Sequence, residues 1–205
     1  MTAPTLAAPR FPRGAALLTT AWLALVLVAG ATGFFARLPF PGPQLIILGL
    51  VAVTLVAAIG VPGLRAWVDA LPLRALIGIN ALRFIGITFL VLAARGQLAS
   101  VFGGRAGWGD IVTAALAIVL AAVNVPRTPW GRGVTHLWNA FGFLDLVVAV
   151  GTATAVTLQQ AVPGVAPVLS LPLLLVPAFF VPIFLANHVV IFRRLIALGR
   201  NTDAR

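Results

Sequence analysis

Six apolar stretches, each near the length needed to cross a bilayer, take up most of this chain. They cover residues 15–36, 44–62, 75–94, 110–126, 135–158 and 171–192. A helical span needs about 20 apolar residues and tolerates ~17, so the fourth is the shortest that qualifies. Only 9% of the residues are charged, and the mean hydropathy is +1.10. A water-soluble domain carries roughly 25% charged residues, so this surface is built for lipid. The expected fold is an all-α integral membrane protein, a six-transmembrane-helix bundle. Residues 1–205 read as a single membrane domain with short basic tails at 1–14 and 195–205.

Proline and glycine punctuate the joints. Pro39-Phe40-Pro41-Gly42-Pro43 parts the first two spans, and Pro62-Gly63 ends the second. Gly103-Gly104 and Gly107 precede the fourth, and Pro126 and Pro129 follow it. Pro163-Gly164 and Pro167 precede the sixth. The start of the chain imitates a secretory signal, with Ala29-Gly30-Ala31 after an apolar core. The apolar run continues through Phe34 and Phe35, longer than a signal core, so the expectation is a retained first helix.

The arginines orient the bundle. Arg10, Arg13, Arg65, Arg74, Arg127, Arg132, Arg193, Arg194, Arg200 and Arg205 fall on one side, and Arg37, Arg95 and Arg105 on the other. The positive-inside rule then puts both termini in the cytoplasm, in a cell inner membrane. The net charge of +10 lies in short joints, where it meets anionic headgroups rather than nucleic acid.

Missing residue types exclude chemistry. All 14 Lys+Arg residues are arginine, so no lysine Schiff base is possible. With Cys at 0 there is no disulfide, thiol nucleophile or Cys-ligated iron–sulfur cluster. All 4 acidic residues are aspartate, which rules out a glutamate-built diiron site.

Two charges interrupt the apolar stretches. Arg83 lies nine residues past Arg74 and Asp145 nine past His136, each about 13 Å deep at 1.5 Å per residue. Matched depth and opposite sign predict an ion pair near the midplane. Its purpose is either a packing clamp or a ligand or proton-linked site. Asn80, Asn139 and His188 lie in the same half and are expected to line, with the pair, a polar cavity opening to the cytoplasm. The asparagines also suit plain inter-helix hydrogen bonding.

His136 and His188 share a membrane side, but their depths differ by more than a turn, which disfavours a bis-His haem. No metal site is expected, because His-x-x-x-His spacing is absent and Asp145 is too deep to join His136. Asp110 is expected to cap the fourth helix at its outer end, or to admit a cation or proton there. Trp108 beside it suits the interfacial aromatic belt, as do Trp67, Trp130 and Trp138 on the opposite boundary. The stretch from Gly96 to Gly109 reads as a loop and possible lid. Pro177 and Pro182 fall inside the sixth span and predict a kink or hinge, whereas Pro172 suits its first turn.

Three functions fit these features. A small transporter or ligand-binding bundle acting on a small molecule or lipid comes first. An accessory or scaffold subunit, in contact with partner membrane subunits or a second copy, comes next. An intramembrane enzyme acting on a lipid or isoprenoid is third.

Overall fold

The computed structural model describes residues 11–123 and 128–203. Among them every regular element is helical, and six helices are long and apolar enough to cross a membrane. Their surfaces carry many exposed large apolar side chains, among them Leu17, Leu45, Val53 and Leu137, which suggests a lipid bilayer environment.

The spans begin with α1 (Arg13–Ala31), followed by the short α2 (Phe34–Arg37) and then α3 (Gly42–Gly60). An amphipathic helix, α4 (Pro62–Ala70), runs between α3 and the third span. That third span is composite: α5 (Leu73–Gly78), a 3-10 stretch (Ile79–Ile85) and α6 (Gly86–Ala94). Next come α7 (Ser100–Val123) and α8 (Pro129–Leu158). The sixth span opens with a π-helical turn (Val176–Phe180) and continues as α9 (Val181–Asp203).

Span positions differ from expectation in three places. The fourth starts at Ser100 rather than near residue 110, so the supposed Gly96–Gly109 loop is mostly helix. Its expected end, at Pro126, lies outside the described residues, as do the tail residues 1–10. The sixth starts at Val176, because residues 171–174 form turns, and Pro172 therefore precedes the span. Residues 195–203, expected as a loose tail, continue α9 as helix.

The prolines of the sixth span leave carbonyls without a backbone donor, and each finds another. Pro177 gives Leu173 no N–H from four residues on, and Val176 N–H takes that carbonyl at 2.9 Å. Pro182 does the same to Ala178, and the indole N–H of Trp22 reaches that carbonyl at 3.0 Å. The π turn closes with Val181 N–H on the carbonyl of Val176. One irregularity in α9 thus ties the peripheral helix α1 to the bundle.

The two ends of the bundle are sealed differently. At the arginine-rich end Asp69 of α4 pairs with Arg193, and Phe11 packs against Trp67 with ring centroids at 4.5 Å. Behind them Ile77, Ala117, Trp138, Ile191 and Leu195 form a dry core. At the opposite end the irregular segment after α8 folds over the bundle. It is pinned by Ala99 N–H on the carbonyl of Gly164 at 2.9 Å, and Val165 and Val168 pack on Leu98 and Phe102.

Candidate functional site

Tight winding lines up the polar residues of the third span. A 3-10 helix has three residues per turn, so residues three apart eclipse one another. Asn80, Arg83 and Gly86 therefore fall on one line. On α7, Thr113, Asp110 and Gly107 share a face by the same spacing. The two antiparallel lines meet rung by rung. A Cβ on Gly86 would come within 2.6 Å of the Gly107 carbonyl oxygen, and Arg83 Nε donates to Asp110 Oδ1 at 2.7 Å.

Asp110 is therefore not an N-cap. It lies ten residues into α7, about 15 Å along its axis, which is the depth of Arg83. The glycines read as loop formers act instead as contact surfaces. Gly103 and Gly107 are four apart, the small-xxx-small spacing that lets membrane helices approach closely. A Cβ on Gly103 would meet Ala93 Cβ at 2.5 Å and the Phe89 carbonyl oxygen at 2.8 Å. That spacing was the sequence signal for a helix here, and the local glycine density hid it.

Arg83 is the hub. Besides Asp110, its guanidinium donates from Nη2 to Asp145 Oδ2 and from Nη1 to the Gly142 carbonyl at 2.9 Å. Nη1 also faces His188 Nε2 at 3.4 Å. The expected Arg83–Asp145 pair is present, but it is one arm of a triad with Asp110. Arg83 is 1% exposed and Asp110 is buried with it, while Asp145 is partly buried.

The surrounding hydrogen bonds choose a histidine tautomer. The His188 carbonyl can only accept, so Asn139 turns its Nδ2 toward it at 2.9 Å. That leaves Asn139 Oδ1 facing His188 Nδ1 at 2.8 Å, so Nδ1 carries the proton. Nε2 is then the acceptor for Arg83, and the imidazole is neutral in this arrangement. His136 stands apart, stacked on Phe192 with ring centroids at 6.1 Å.

Arg83, Asp145, His188 and Asn139 thus form one connected set, and Asn80 lies one turn before Arg83 on the third span. They do not line a polar cavity at the arginine-rich end, where the dry core intervenes. Asn80 turns its Nδ2 onto the carbonyls of Leu76 and Ile77 at 3.2 Å. Asn80 Oδ1 and Thr113 Oγ1, both on fully buried residues, find no partner among the described residues. Trp138, expected at the boundary, is buried and donates to the Thr113 carbonyl at 3.0 Å. Trp108 is 62% exposed on the third turn of α7, away from a helix end.

The cavity lies on the other side of the triad. It measures about 380 Å³ and is almost wholly apolar, with Arg83 and Asp110 at its polar end. Such a volume falls in the ~300–1,000 Å³ range of small-molecule sites. Its roof is the segment containing Val165, Val168 and Leu173, so the cover comes from after α8 rather than from the Gly96–Gly109 stretch. Pro177 lines the cavity and Pro182 lies just beyond it, so the irregular start of the sixth span borders the site. Two other lining residues, Phe40 at 47% and Leu82 at 57%, are exposed on the outer surface of the bundle. The wall there reaches the lipid-facing side.

No curated protein and no solved structure matches the chain. One family does, over residues 41–196, which takes in the triad, the cavity lining apart from Leu38 and Phe40, and the spans after the first as far as residue 196. The chain belongs to the family described as Domain of unknown function (DUF8737).

Proposed function

We propose that this is a multi-pass inner-membrane protein that binds, and carries across the bilayer, a small and mainly apolar molecule. In this reading both termini face the cytoplasm. The observation that carries the reading is the 380 Å³ apolar cavity closed at its inner end by Arg83 and Asp110. Ligand sites combine an apolar body with a few convergent polar groups, and this cavity has that form. The dry core around Ile77 and Trp138 seals the other half, as alternating access requires of one end at a time. The 3-10 stretch and the π turn flank the cavity, and such irregular turns recur at functional sites.

Native mass spectrometry of the chain released from nanodiscs tests this. The expected result is a small-molecule or lipid adduct that Ala153→Phe, which fills the cavity wall, removes. An adduct retained in that variant, or none in either protein, sinks the reading.

A second reading rests on a different observation. Arg83 points its donors at four acceptors and is 1% exposed, as in a packing clamp. That suits an accessory subunit, whose partners would dock on the exposed faces of α1 and α3. Co-purification of a second membrane chain in fixed ratio would favour it.

A further inference from the structure

The polar end of the cavity carries more negative than positive charge. Every element packed round the Arg83 guanidinium contributes to the count. Asp110 comes from α7, Asp145 from α8 and His188 from α9, and Gln44 of α3 lines the cavity without charge. His188 accepts from Arg83 and is neutral. One guanidinium therefore faces two carboxylates. Arg83 and Asp110 are buried and Asp145 is partly buried, and an uncompensated charge so far removed from water is disfavoured, so the surplus calls for a positive occupant.

We propose that the Asp110–Arg83–Asp145 triad is an exchange site. It holds either one proton or the cationic head of a lipophilic ligand whose apolar body fills the cavity. This rests on the pocket reading above and adds the class of ligand. Asp110 is the contact point, since it lines the cavity with its side chain 8% exposed while Arg83 is 1% exposed. An anionic head would add a further negative charge and is refused. The cavity wall also carries unspent hydrogen-bonding capacity, since the buried Gln44 Oε1 has no partner among the described residues. The exposed Phe40 and Leu82 in the wall give a ligand dissolved in the bilayer a lateral route. The exchange balances: one monovalent cation enters, one proton leaves to water, and the charge of the site is unchanged.

The test uses the full chain in nanodiscs and three probes with the same dodecyl chain. These are dodecyltrimethylammonium, dodecyl sulfate and dodecanol, titrated in weakly buffered solution with a pH indicator. The quaternary ammonium has no proton of its own, so any proton released comes from the protein. The expected result is saturable binding of the ammonium probe with close to one proton released. Its affinity should weaken by up to about tenfold per unit fall in pH while the proton competes. Asp110→Asn should abolish the release, and the wild-type measurement stands even if that variant misfolds. Dodecanol binding without ammonium binding, or ammonium binding without proton release, overturns the exchange and leaves the pocket reading intact. Preferential binding of dodecyl sulfate also overturns it. If no probe binds in a manner that Ala153→Phe removes, the pocket reading falls with it.

Discussion

The Asp145 carboxylate occupies the space that a Cβ on Gly109 would need. α7 and α8 therefore meet at a glycine so that the acid can reach Arg83. Gly109→Ala should destabilise the protein by ~1–3 kcal/mol through overpacking. Gly104 is the control, because nothing lies within 4 Å of its Cβ position. Gly104→Ala should be neutral or stabilise by up to about 1 kcal/mol, the helix preference for alanine. Thermal unfolding of both variants in detergent checks the pair. Equal loss from the two would contradict the geometry.

The triad predicts an asymmetry between its members. Arg83→Leu leaves the buried Asp110 and the partly buried Asp145 without a counterion and should cost ~3–5 kcal/mol or prevent folding. Asp145→Asn removes the surplus negative charge and keeps the bond between Arg83 and Asp110, so it should cost well under half of that. Yield and thermal midpoint of the purified variants read the difference. Asp145→Asn proving as harmful as Arg83→Leu would mean that the three groups do not share one charge balance.

The tie between α1 and the sixth span is open to a double-mutant cycle. Trp22→Phe strands the Ala178 carbonyl and should cost ~1–3 kcal/mol. Pro182→Ala restores a backbone N–H to that carbonyl, so the tryptophan should matter less in its presence. The coupling should reach at least ~0.5 kcal/mol in thermal unfolding. Strict additivity would show that Trp22 holds α1 by ring packing on Phe179 alone, where the centroids are 4.7 Å apart.

Orientation can be read by single-cysteine labelling, and the chain suits it because its Cys count is 0. In intact spheroplasts a membrane-impermeant maleimide should label Arg95→Cys and spare Arg65→Cys. Lysis should expose the second. The reverse pattern would invert the assignment of both termini to the cytoplasm.

Much of the bundle was legible from spacing along the chain. Arg83 and Asp145 declared themselves as charges in apolar runs, and their equal depth followed from the rise per residue alone. Asp110 did not, because an aspartate after Gly107-Trp108-Gly109 has the local form of a helix cap. A glycine-rich segment can be a loop or a close-packed helix, and only the neighbour it meets decides. Gly86 was that neighbour, and it lies in another span.

The sequence alone determined six helices apolar enough to cross a membrane, the joints in which the arginines collect, and the matched level of Arg83 and Asp145. Those are one-dimensional properties, set by hydropathy, charge and a fixed axial rise. The tertiary structure decided which groups face each other. It placed a second carboxylate on Arg83, put the cavity on the far side of the triad from the arginine-rich end, and gave Trp22 the carbonyl that Pro182 leaves open. Each of these depends on helix rotation and contact between distant segments, which axial depth does not specify.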